Sequence, residues 1–238
     1  MAAGRRVAVL QSNYVPWKGY FDLLHYVDDF IFYDEVQYTK NDWRNRNRIK
    51  TAQGVQWLTI PVRQEHLGQR ISETRVSEAG WGSRHWRTVA QAYARAPHFA
   101  RYRARLEELY REPGSELLSE INQRFIRCLN EWLGITTRLH QSTDFGEPGG
   151  DRTARLVRLV QAVGGTEYVS GPAAAVYLDA GQLAQAGIGL SWMSYEGYPE
   201  YRQLHGPFEH RVSILDLLLN EGPEAPRFMR SFSEPSTA

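Results

Sequence analysis

The fold is decided by residues 6–35, which read RVAVLQSNYVPWKGYFDLLHYVDDFIFYDE. Residues 6–10 form a short apolar run containing valines, as expected of a buried strand. Pro16 marks the loop that follows, and residues 20–27 place apolar side chains on one helical face. Residues 30–33 are apolar again and predict a second strand. Strand, loop, helix and strand in so short a stretch form a βαβ unit, and such units build parallel sheets.

The rest of the chain continues this α/β alternation. Residues 56–62 are rich in apolar side chains and predict a strand, and residues 80–134 are mostly helical in pattern. Two more strands are predicted at 166–170 and 189–193, each preceded by a helix. We therefore expect an α/β fold: a Rossmann-like parallel sheet flanked by helices, with a helical insertion over about residues 80–134.

One domain accounts for the chain, because 238 residues are within reach of a single α/β domain. We predict that residues 1–230 form this domain. Residues 231–238 contain Ser, Glu, Pro and Thr and are predicted to form a disordered tail. Residues 36–50 are polar and basic, and we assign no strand or helix to them.

The composition excludes several classes of function. The formal net charge is +1, so the whole molecule has no strong field that attracts nucleic acid or anionic membranes. Cys128 is the single cysteine, which excludes an internal disulfide and a cysteine-based zinc cluster. The apolar run at residues 7–10 is too short for a signal peptide or a membrane span, so we expect a cytoplasmic protein without membrane contact.

Four motifs near the start of the chain resemble those of the WbqC-like protein family. They are QSNYVPWKGYFDL at 11–23, DEVQYTK at 34–40, WRNRNRIK at 43–50 and WLTIPV at 57–62. Shorter similarities continue along nearly the whole chain, for example YVSGP at 168–172. The resemblance implies an accessory enzyme of surface-polysaccharide or specialised-metabolite biosynthesis, in a family of which some members attach amino-acid or acyl groups to amino sugars. It implies no particular catalytic residue.

The first strand, loop and helix also resemble, more distantly, the start of nucleotidylyltransferases and class I synthetases. In those proteins the loop carries histidines that hold phosphates at the helix N-terminus. The corresponding positions here are Pro16, Gly19 and Tyr20, and no histidine stands in the loop. This resemblance implies a loop geometry suited to anions, without the local cation that adenylyl transfer requires.

The loop after the first strand is the first candidate for ligand contact, because open α/β sheets bind ligands at the carboxyl ends of their strands. Its predicted contact residues are Gln11, Asn13, Tyr14, Trp17 and Tyr20. Amide groups and aromatic faces suit a polar ring or a sugar. The alternative is a turn whose aromatic side chains pack in the core. We favour ligand contact, because two amides and three aromatic rings exceed what a turn needs.

The basic segment at residues 44–50 is the second candidate. Arginine can bind both oxygens of a phosphate or carboxylate at once. The predicted substrate-binding residues of this region are Gln37, Arg44, Asn45, Arg46, Asn47 and Lys50. A nucleotide, a nucleotide-sugar or a nucleic-acid backbone such as a tRNA end would each satisfy such a segment, and the alternative is a solvated basic loop.

His85 and Asp34 are the candidates for general acid–base catalysis. Histidine titrates near neutral pH, and Asp34 follows the second strand, where it can face the same edge of the sheet. The alternatives are a capping or surface histidine, and a carboxylate that binds buried amides. Ser170 and Gly171 also follow a strand, and glycine there permits a close backbone approach to a ligand, although a plain turn explains them equally well. We predict no metal site, because the histidines lack paired helical spacing.

These features lead to three hypotheses. The first is a transferase that places an acyl or aminoacyl group on an amino-sugar or another amine-bearing small molecule, with an activated acyl, aminoacyl-tRNA or nucleotide-linked donor. The second is a nucleotidyltransferase acting on a sugar or metabolite phosphate. The third is a non-catalytic protein that presents a biosynthetic intermediate to a partner. All three depend on one expectation, that the loop after the first strand and the basic segment meet at one pocket. The sequence leaves the cofactor and the oligomeric state open.

Overall fold

The computed structural model describes residues 4–146 and 149–232. The strands are β1 (Arg6–Leu10), β2 (Asp29–Phe32), β3 (Arg46–Thr51), β4 (Gly54–Thr59), β5 (Val62–Arg63), β6 (Arg75–Val76), β7 (Arg138–Gln141), β8 (Glu167–Ser170) and β9 (Gly189–Trp192). The α-helices are α1 (Lys18–Tyr26), α2 (Trp81–Tyr93), α3 (Phe99–Arg111), α4 (Leu118–Leu133), α5 (Arg152–Ala162), α6 (Ala180–Gln185) and α7 (Ile214–Glu221). No helix in these ranges combines the length and the apolar composition needed to span a lipid bilayer.

Five parallel strands form the central sheet, in the order β7-β2-β1-β8-β9. The chain first builds outward from β1 to β2 and β7, and then continues on the other side with β8 and β9. This is the strand order of a doubly wound sheet with five strands, and its topological switch point lies between β1 and β8. The predicted Rossmann-like α/β fold is therefore confirmed, and α2, α3 and α4 form the predicted helical insertion between β2 and β7.

Alternate side chains of the parallel strands enter two hydrophobic cores, one on each face of the sheet. Ala8, Phe30 and Phe32 pack in the larger core with α1, the insertion helices and α7. Val7 and Ile31 point the other way, into a smaller core under α5 and α6. Both faces of a parallel sheet must be covered in this way, which explains why its central strands have no polar face.

Two parts of the sheet structure differ from the sequence prediction. Residues 36–50 were assigned no strand, whereas β3 pairs with β4 in an antiparallel hairpin, with Arg46 opposite Thr59 and Thr51 opposite Gly54. Arg46 and Arg48 stand at alternate positions of β3 and hide its strand pattern, because they lie on the face opposite the buried Asn47 and Ile49. The predicted strand at 56–62 is interrupted, since β4 ends at Thr59 and β5 begins only after Pro61.

The C-terminal residues predicted to be disordered begin with an ordered contact. Asp22 accepts hydrogen bonds from the backbone N–H groups of Arg230 (3.0 Å) and Ser231 (2.8 Å). The Phe232 ring stacks on His25 with 3.5 Å between ring centroids. Residues 231 and 232 are therefore attached to α1, and the rest of the predicted tail, 233–238, lies outside the described residues.

Asp29 lies at the amino-terminal edge of the sheet and joins three strands. Its buried carboxylate accepts hydrogen bonds from Arg5 (2.7 and 3.1 Å), Arg138 (2.9 and 3.0 Å) and His140 (2.8 Å). Burial alone would raise the pKa of Asp29, but the hydrogen bonds from Arg5, His140 and Arg138 outweigh it and lower the pKa to about 2. This residue therefore makes the folded state sensitive to acid.

We expect Asp29 to contribute about 2 kcal/mol to the free energy of unfolding at neutral pH. Its folded-state pKa lies below the ordinary aspartate value of 3.8, so the contribution is present above pH 3.8 and disappears as the pH falls towards 2. Urea unfolding of the wild type and Asp29→Asn should therefore show a stability difference that shrinks between pH 5 and pH 2. The exposed neighbour Asp28 supplies a control, Asp28→Asn. Parallel stability–pH curves for the wild type and Asp29→Asn would contradict the assignment.

Candidate functional site

The loop after β1 leaves the sheet at the switch point in a strained conformation. Val15 is buried and has a φ of 35°, which is unfavourable for a β-branched residue. The Asn47 side chain donates Nδ2–H bonds to the carbonyl oxygens of Tyr14 (3.2 Å) and Val15 (2.9 Å). Such strain persists only where surrounding contacts fix the backbone, and it is typical of functional sites.

Arg44 connects the basic segment to this loop. Its Nη1 donates to Asn13 Oδ1 at 2.5 Å and its Nη2 to Gln11 Oε1 at 3.0 Å. The backbone N–H of Tyr14 also donates to the carbonyl oxygen of Trp43 at 3.0 Å. The structure thus brings the two sequence segments together, and the Arg44 guanidinium serves to orient the two amides of the loop.

A cavity of about 300 Å³ opens where the two segments meet, and we call it the cleft. It is lined by Asn13, Pro16, Trp17, Trp43, Asn47 and Arg211. The Trp17 indole folds back over the first turn of α1, and a Cβ atom at Gly19 would lie 2.3 Å from that ring. Glycine at position 19 is therefore needed to hold Trp17 in the cleft wall.

Residues 193–213, between β9 and α7, cover the N-terminus of α1, and we call them the strap. Tyr195 and Tyr198 contact the Trp17 ring edge-on, with centroid distances of 5.3 and 6.0 Å. The end of the strap is fixed by a hydrogen bond from Ser213 N–H to the carbonyl oxygen of Arg48, at 2.8 Å. This path brings Arg211 to the cleft from a distant part of the sequence.

Lys18 lies beneath the strap and was not singled out by the sequence. Its side chain is buried, and Nζ lies 4.7 Å from the ring centroid of Tyr198 and 5.3 Å from that of Tyr201. Its hydrogen bond to the carbonyl oxygen of Pro199 is long, at 3.5 Å. Burial lowers the pKa of Lys18 to about 8, against the opposing attraction of Asp22 and Asp216.

Asp22 and Asp216 hold the strap by accepting hydrogen bonds from its tyrosines. Tyr198 donates to Asp22 and Tyr201 donates to Asp216, each at 2.6 Å. Desolvation raises the pKa of Asp216, although its hydrogen bonds oppose that shift. Both carboxylates are fully buried, so they act as anchors for the strap.

Comparisons with known proteins place the chain in a family. The model of the WbqC-like protein family matches residues 11–228. The chain belongs to the WbqC-like protein family. It is also 48% identical over 227 residues to a Mycobacterium tuberculosis (strain ATCC 25618 / H37Rv) protein named "Uncharacterized protein Rv1507c", an alignment that covers 95% of this chain and 98% of that relative. No solved structure matches this chain.

In this WbqC-like protein, His85 is part of the core. Its Nε2–H donates to the carbonyl oxygen of Thr59 (3.1 Å), because a carbonyl can only accept, and its Nδ1 therefore accepts from the Tyr14 hydroxyl (2.8 Å). Burial lowers the pKa of His85 to about 4. Both ring nitrogens are engaged, so the predicted role of general base has no free nitrogen to perform it, and the predicted ligand contact of Tyr14 is replaced by core packing.

Asp34 is also buried and fully engaged. Its Oδ1 accepts from the backbone N–H of Ser12 (2.8 Å), and its Oδ2 accepts from Ser119 Oγ (2.6 Å) and Gln123 Nε2 (3.2 Å). The carboxylate thus ties the loop after β1 to helix α4 of the WbqC-like fold. This is a positioning role, and it differs from the catalytic role predicted from the sequence.

Three further predicted binding residues, Tyr20, Asn45 and Lys50, form hydrogen bonds with other parts of the protein. The Tyr20 hydroxyl donates to the carbonyl oxygen of Gln11 (3.1 Å), and Asn45 Nδ2 donates to the carbonyl oxygen of Ile60 (2.9 Å). Lys50 Nζ donates to Gln203 Oε1 (2.8 Å). All three side chains are buried and lie outside the cleft lining, so they support the loop, the hairpin and the strap.

The remaining candidates, Ser170, Gly171 and Gln37, lie in two different places outside the cleft lining. A Cβ atom at Gly171 would lie 3.3 Å from the Tyr195 hydroxyl, so Ser170 and Gly171 lie next to the strap. Gln37 pairs with the backbone of Arg70, which lines a different cavity of about 320 Å³ near the ends of β2 and β7. Of the predicted binding residues, Asn13, Trp17 and Asn47 line the cleft. Pro16, Trp43 and Arg211 complete it. Trp43 opens the basic motif at residues 43–50, whereas no local pattern marks Arg211.

Proposed function

We propose that this WbqC-like protein is a transferase that places an acyl or aminoacyl group on an amino-sugar or a similar amine-bearing acceptor. The observation that supports this proposal is the composition of the cleft, which combines two indole rings, two amides and one arginine. The family resemblance supports the type of reaction, and the cleft supports the type of acceptor.

The cleft suits a sugar ring in size and in chemistry. Its volume of about 300 Å³ is that of a small-ligand pocket. The C–H face of a sugar packs well on an indole, as Trp17 and Trp43 offer here, because the ring combines a large apolar face with a polar edge. Asn13 and Asn47 supply amides for hydroxyl groups, and Arg211 can bind an anionic substituent through charge-assisted hydrogen bonds.

The described residues that line the cleft include no general base, because Arg211 is their only ionisable side chain. His210 adjoins Arg211 on the strap, but it does not line the cleft and its Nδ1 is buried. Solvent water therefore accepts the amine proton in this proposal. The acceptor amine attacks the carbonyl carbon of the activated donor, a C–N bond forms, and the donor's C–S or C–O bond breaks. The amine proton passes to solvent water, and the leaving thiolate or alkoxide takes up a proton from solvent.

A second candidate function is binding without catalysis. Of the described residues that line the cleft, only Arg211 carries an ionisable side chain. A protein that presents an intermediate to a partner enzyme needs a cleft of this composition and no proton acceptor.

A turnover experiment separates the two candidates. The full chain is incubated with glucosamine or UDP-linked amino sugars, together with acyl thioesters or aminoacyl-tRNAs, and the products are analysed by mass spectrometry. A transferase should give an acceptor whose mass increases by one acyl group. Tight binding of an acceptor with no product after long incubation would instead support the binding protein.

Two cleft variants should weaken acceptor binding without unfolding the protein. We expect Trp43→Ala and Arg211→Ala each to raise the acceptor Kd or KM about tenfold or more, because each loses a ring contact or a charge-assisted hydrogen bond. Both side chains are exposed, so their loss should leave the melting temperature nearly unchanged. Trp192→Ala removes an indole of the same exposure, 42%, from a different cavity and serves as the control. Equal affinity for the wild type and both cleft variants would show that the acceptor binds elsewhere.

A further inference from the structure

The outer face of the β3–β4 hairpin carries an organised group of aromatic and cationic side chains, which we call the platform: Trp43, Arg46, Arg48 and Trp57. The hairpin register places Arg48 opposite Trp57. The guanidinium carbon of Arg46 lies 4.4 Å from the Trp57 ring centroid, and that of Arg48 lies 5.6 Å from it. Trp43 lies beside Trp57, with 5.6 Å between ring centroids.

The two arginines of the platform have unused hydrogen-bonding capacity. Within residues 4–146 and 149–232, neither guanidinium makes an ion pair or a hydrogen bond, and the buried Arg48 Nε has no acceptor. Their neighbour Arg44 differs, since it binds Gln11 and Asn13 and lies 3.7 Å from Asp42. A guanidinium that stacks on a ring keeps its N–H edge available for two oxygens of an anion.

The platform is continuous with the cleft. Trp43 belongs to both. Asn47, which lines the cleft, lies between Arg46 and Arg48 on β3 but points to the opposite face of the strand, so the two surfaces meet at Trp43. The bond between Ser213 and Arg48 holds the end of the strap, with Arg211, against the same strand. Among the described residues, the Arg211 guanidinium makes no ion pair, although the Arg211 backbone N–H donates to the Glu209 carboxylate at 2.7 Å. Arg46 and Arg48 are therefore two neighbouring cations without a counter-charge, and a bound anion would relieve their mutual repulsion.

The exposed rings of Trp43 and Trp57 indicate which chemical group is attached to the bound anion. Trp43 and Trp57 are 42% and 43% exposed, which is unusual for indoles that have no ligand or partner to cover them. Exposed aromatic rings beside arginines are the arrangement on which nucleobases stack. The platform is a single short hairpin, and the net charge of the chain is only +1, so a long polyanion does not fit it.

We infer that the platform binds the nucleoside diphosphate part of a nucleotide-linked sugar, with the base on Trp57 and Trp43 and the phosphates on Arg46, Arg48 and Arg211. The sugar then extends into the cleft. This inference rests on the proposed function, because it assigns the acceptor's carrier group to a surface beside the acceptor cleft.

Isothermal titration of the full chain with UDP, ADP, uridine and inorganic pyrophosphate tests the inference. UDP or ADP should bind about tenfold or more tightly than either uridine or pyrophosphate, because only the diphosphate nucleoside uses both parts of the platform. Arg46→Gln and Arg48→Gln should each weaken that binding about tenfold or more, and Trp57→Ala should weaken uridine and UDP binding alike. The affinity should also fall with added salt, because the contacts are ionic.

Arg152 gives a matched control. Its guanidinium carbon lies 5.0 Å from the centroid of Tyr177, a ring that is 49% exposed, but this pair belongs to neither the platform nor the cleft lining. Arg152→Gln should leave UDP binding unchanged. If Trp57→Ala lowers the melting temperature, Trp57→Phe retains a ring for packing, and Arg46→Lys retains the charge while losing the two-point contact with phosphate.

The outcomes separate the inference from the proposed function. Equal binding of UDP and pyrophosphate, unchanged UDP affinity in Arg46→Gln and Arg48→Gln, or an equal loss in Arg152→Gln would each overturn the inference. Tighter binding of a single-stranded oligouridylate than of UDP would overturn it in favour of RNA. If free glucosamine is acylated while UDP neither binds nor competes, the inference fails and the proposed function stands. If UDP binds through the platform while no acceptor is acylated, the inference stands and the transferase proposal fails.

Discussion

Replacing Asp34 by alanine is expected to lower the free energy of unfolding by about 3–5 kcal/mol. The substitution leaves two buried donors without an acceptor, the Ser12 N–H and the Ser119 hydroxyl. Gln123 Nε2 also loses Asp34 but still donates to Gln141 Oε1 at 3.0 Å. An unpaired buried donor costs about 1–3 kcal/mol, and the two losses act on one site. Asp34→Asn keeps one carbonyl oxygen and should lose about half as much stability. Equilibrium unfolding in guanidinium chloride measures both values.

The same variants decide what Asp34 does for function. If it positions the loop after β1, turnover or ligand binding should fall together with stability, and the pH profile of the remaining activity should keep its shape. Glu35→Gln is the control, because Glu35 is half-buried and hydrogen-bonds to Ser142 at the protein's edge. A large loss of turnover in Asp34→Asn with unchanged stability and a shifted pH profile would restore the catalytic role.

His85 is expected to be the main source of pH-dependent stability between pH 6.5 and pH 4. Its folded-state pKa is about 4, whereas the ordinary histidine value is 6.5, so the unfolded chain takes up a proton first as the pH falls. Stability therefore decreases over this interval, and the full loss at pH 4 and below amounts to about 3 kcal/mol. His85→Gln keeps groups that can bind Thr59 and Tyr14 but does not titrate, so its stability should change less over the same interval.

Unfolding measured at half-unit pH steps checks this expectation. His205→Gln is the matched control, since His205 also hydrogen-bonds to a backbone carbonyl, that of Ala92 at 3.1 Å, but is only partly buried. The wild type and His205→Gln should follow one curve, and His85→Gln a flatter one. A His85→Gln curve as steep as that of the wild type would show that another group is responsible. His85→Ala should in addition cost about 3–4 kcal/mol at pH 7, because it leaves a cavity and two unpaired polar groups.

Asp34 and His85, the two acid–base candidates from the sequence, bind buried groups of the loop after β1 and the elements packed against it. The groups at the opening of the cleft come instead from Trp43 and the strap. The loop after β1, Arg44 and Asn47 were predicted to lie together, and the structure places them in contact. Lys18 and Arg211 were missed because their environment is created by the strap, which has no periodic pattern in the sequence.

The fold was predicted more completely than the site, for a physical reason. The apolar runs of β1 and β2 and the helical periodicity of the insertion are local signals, because each element must bury its own side chains. The edge strand β7 and the hairpin strand β3 were missed, since their short polar sequences become strands only by pairing with neighbours. Family membership was also evident from motifs, and the match over residues 11–228 confirms it.

The amino-acid sequence by itself determined the parallel sheet, the position of the loop at its carboxyl edge and the family of the protein. The tertiary structure alone decided which polar side chains face the cleft and which satisfy the core. Asp34 is tied to Ser119, 85 residues away, and Tyr14 to His85, 71 residues away. The protonation state and the role of a buried polar group depend on such distant partners, because burial and hydrogen bonds set its pKa and no local pattern specifies them.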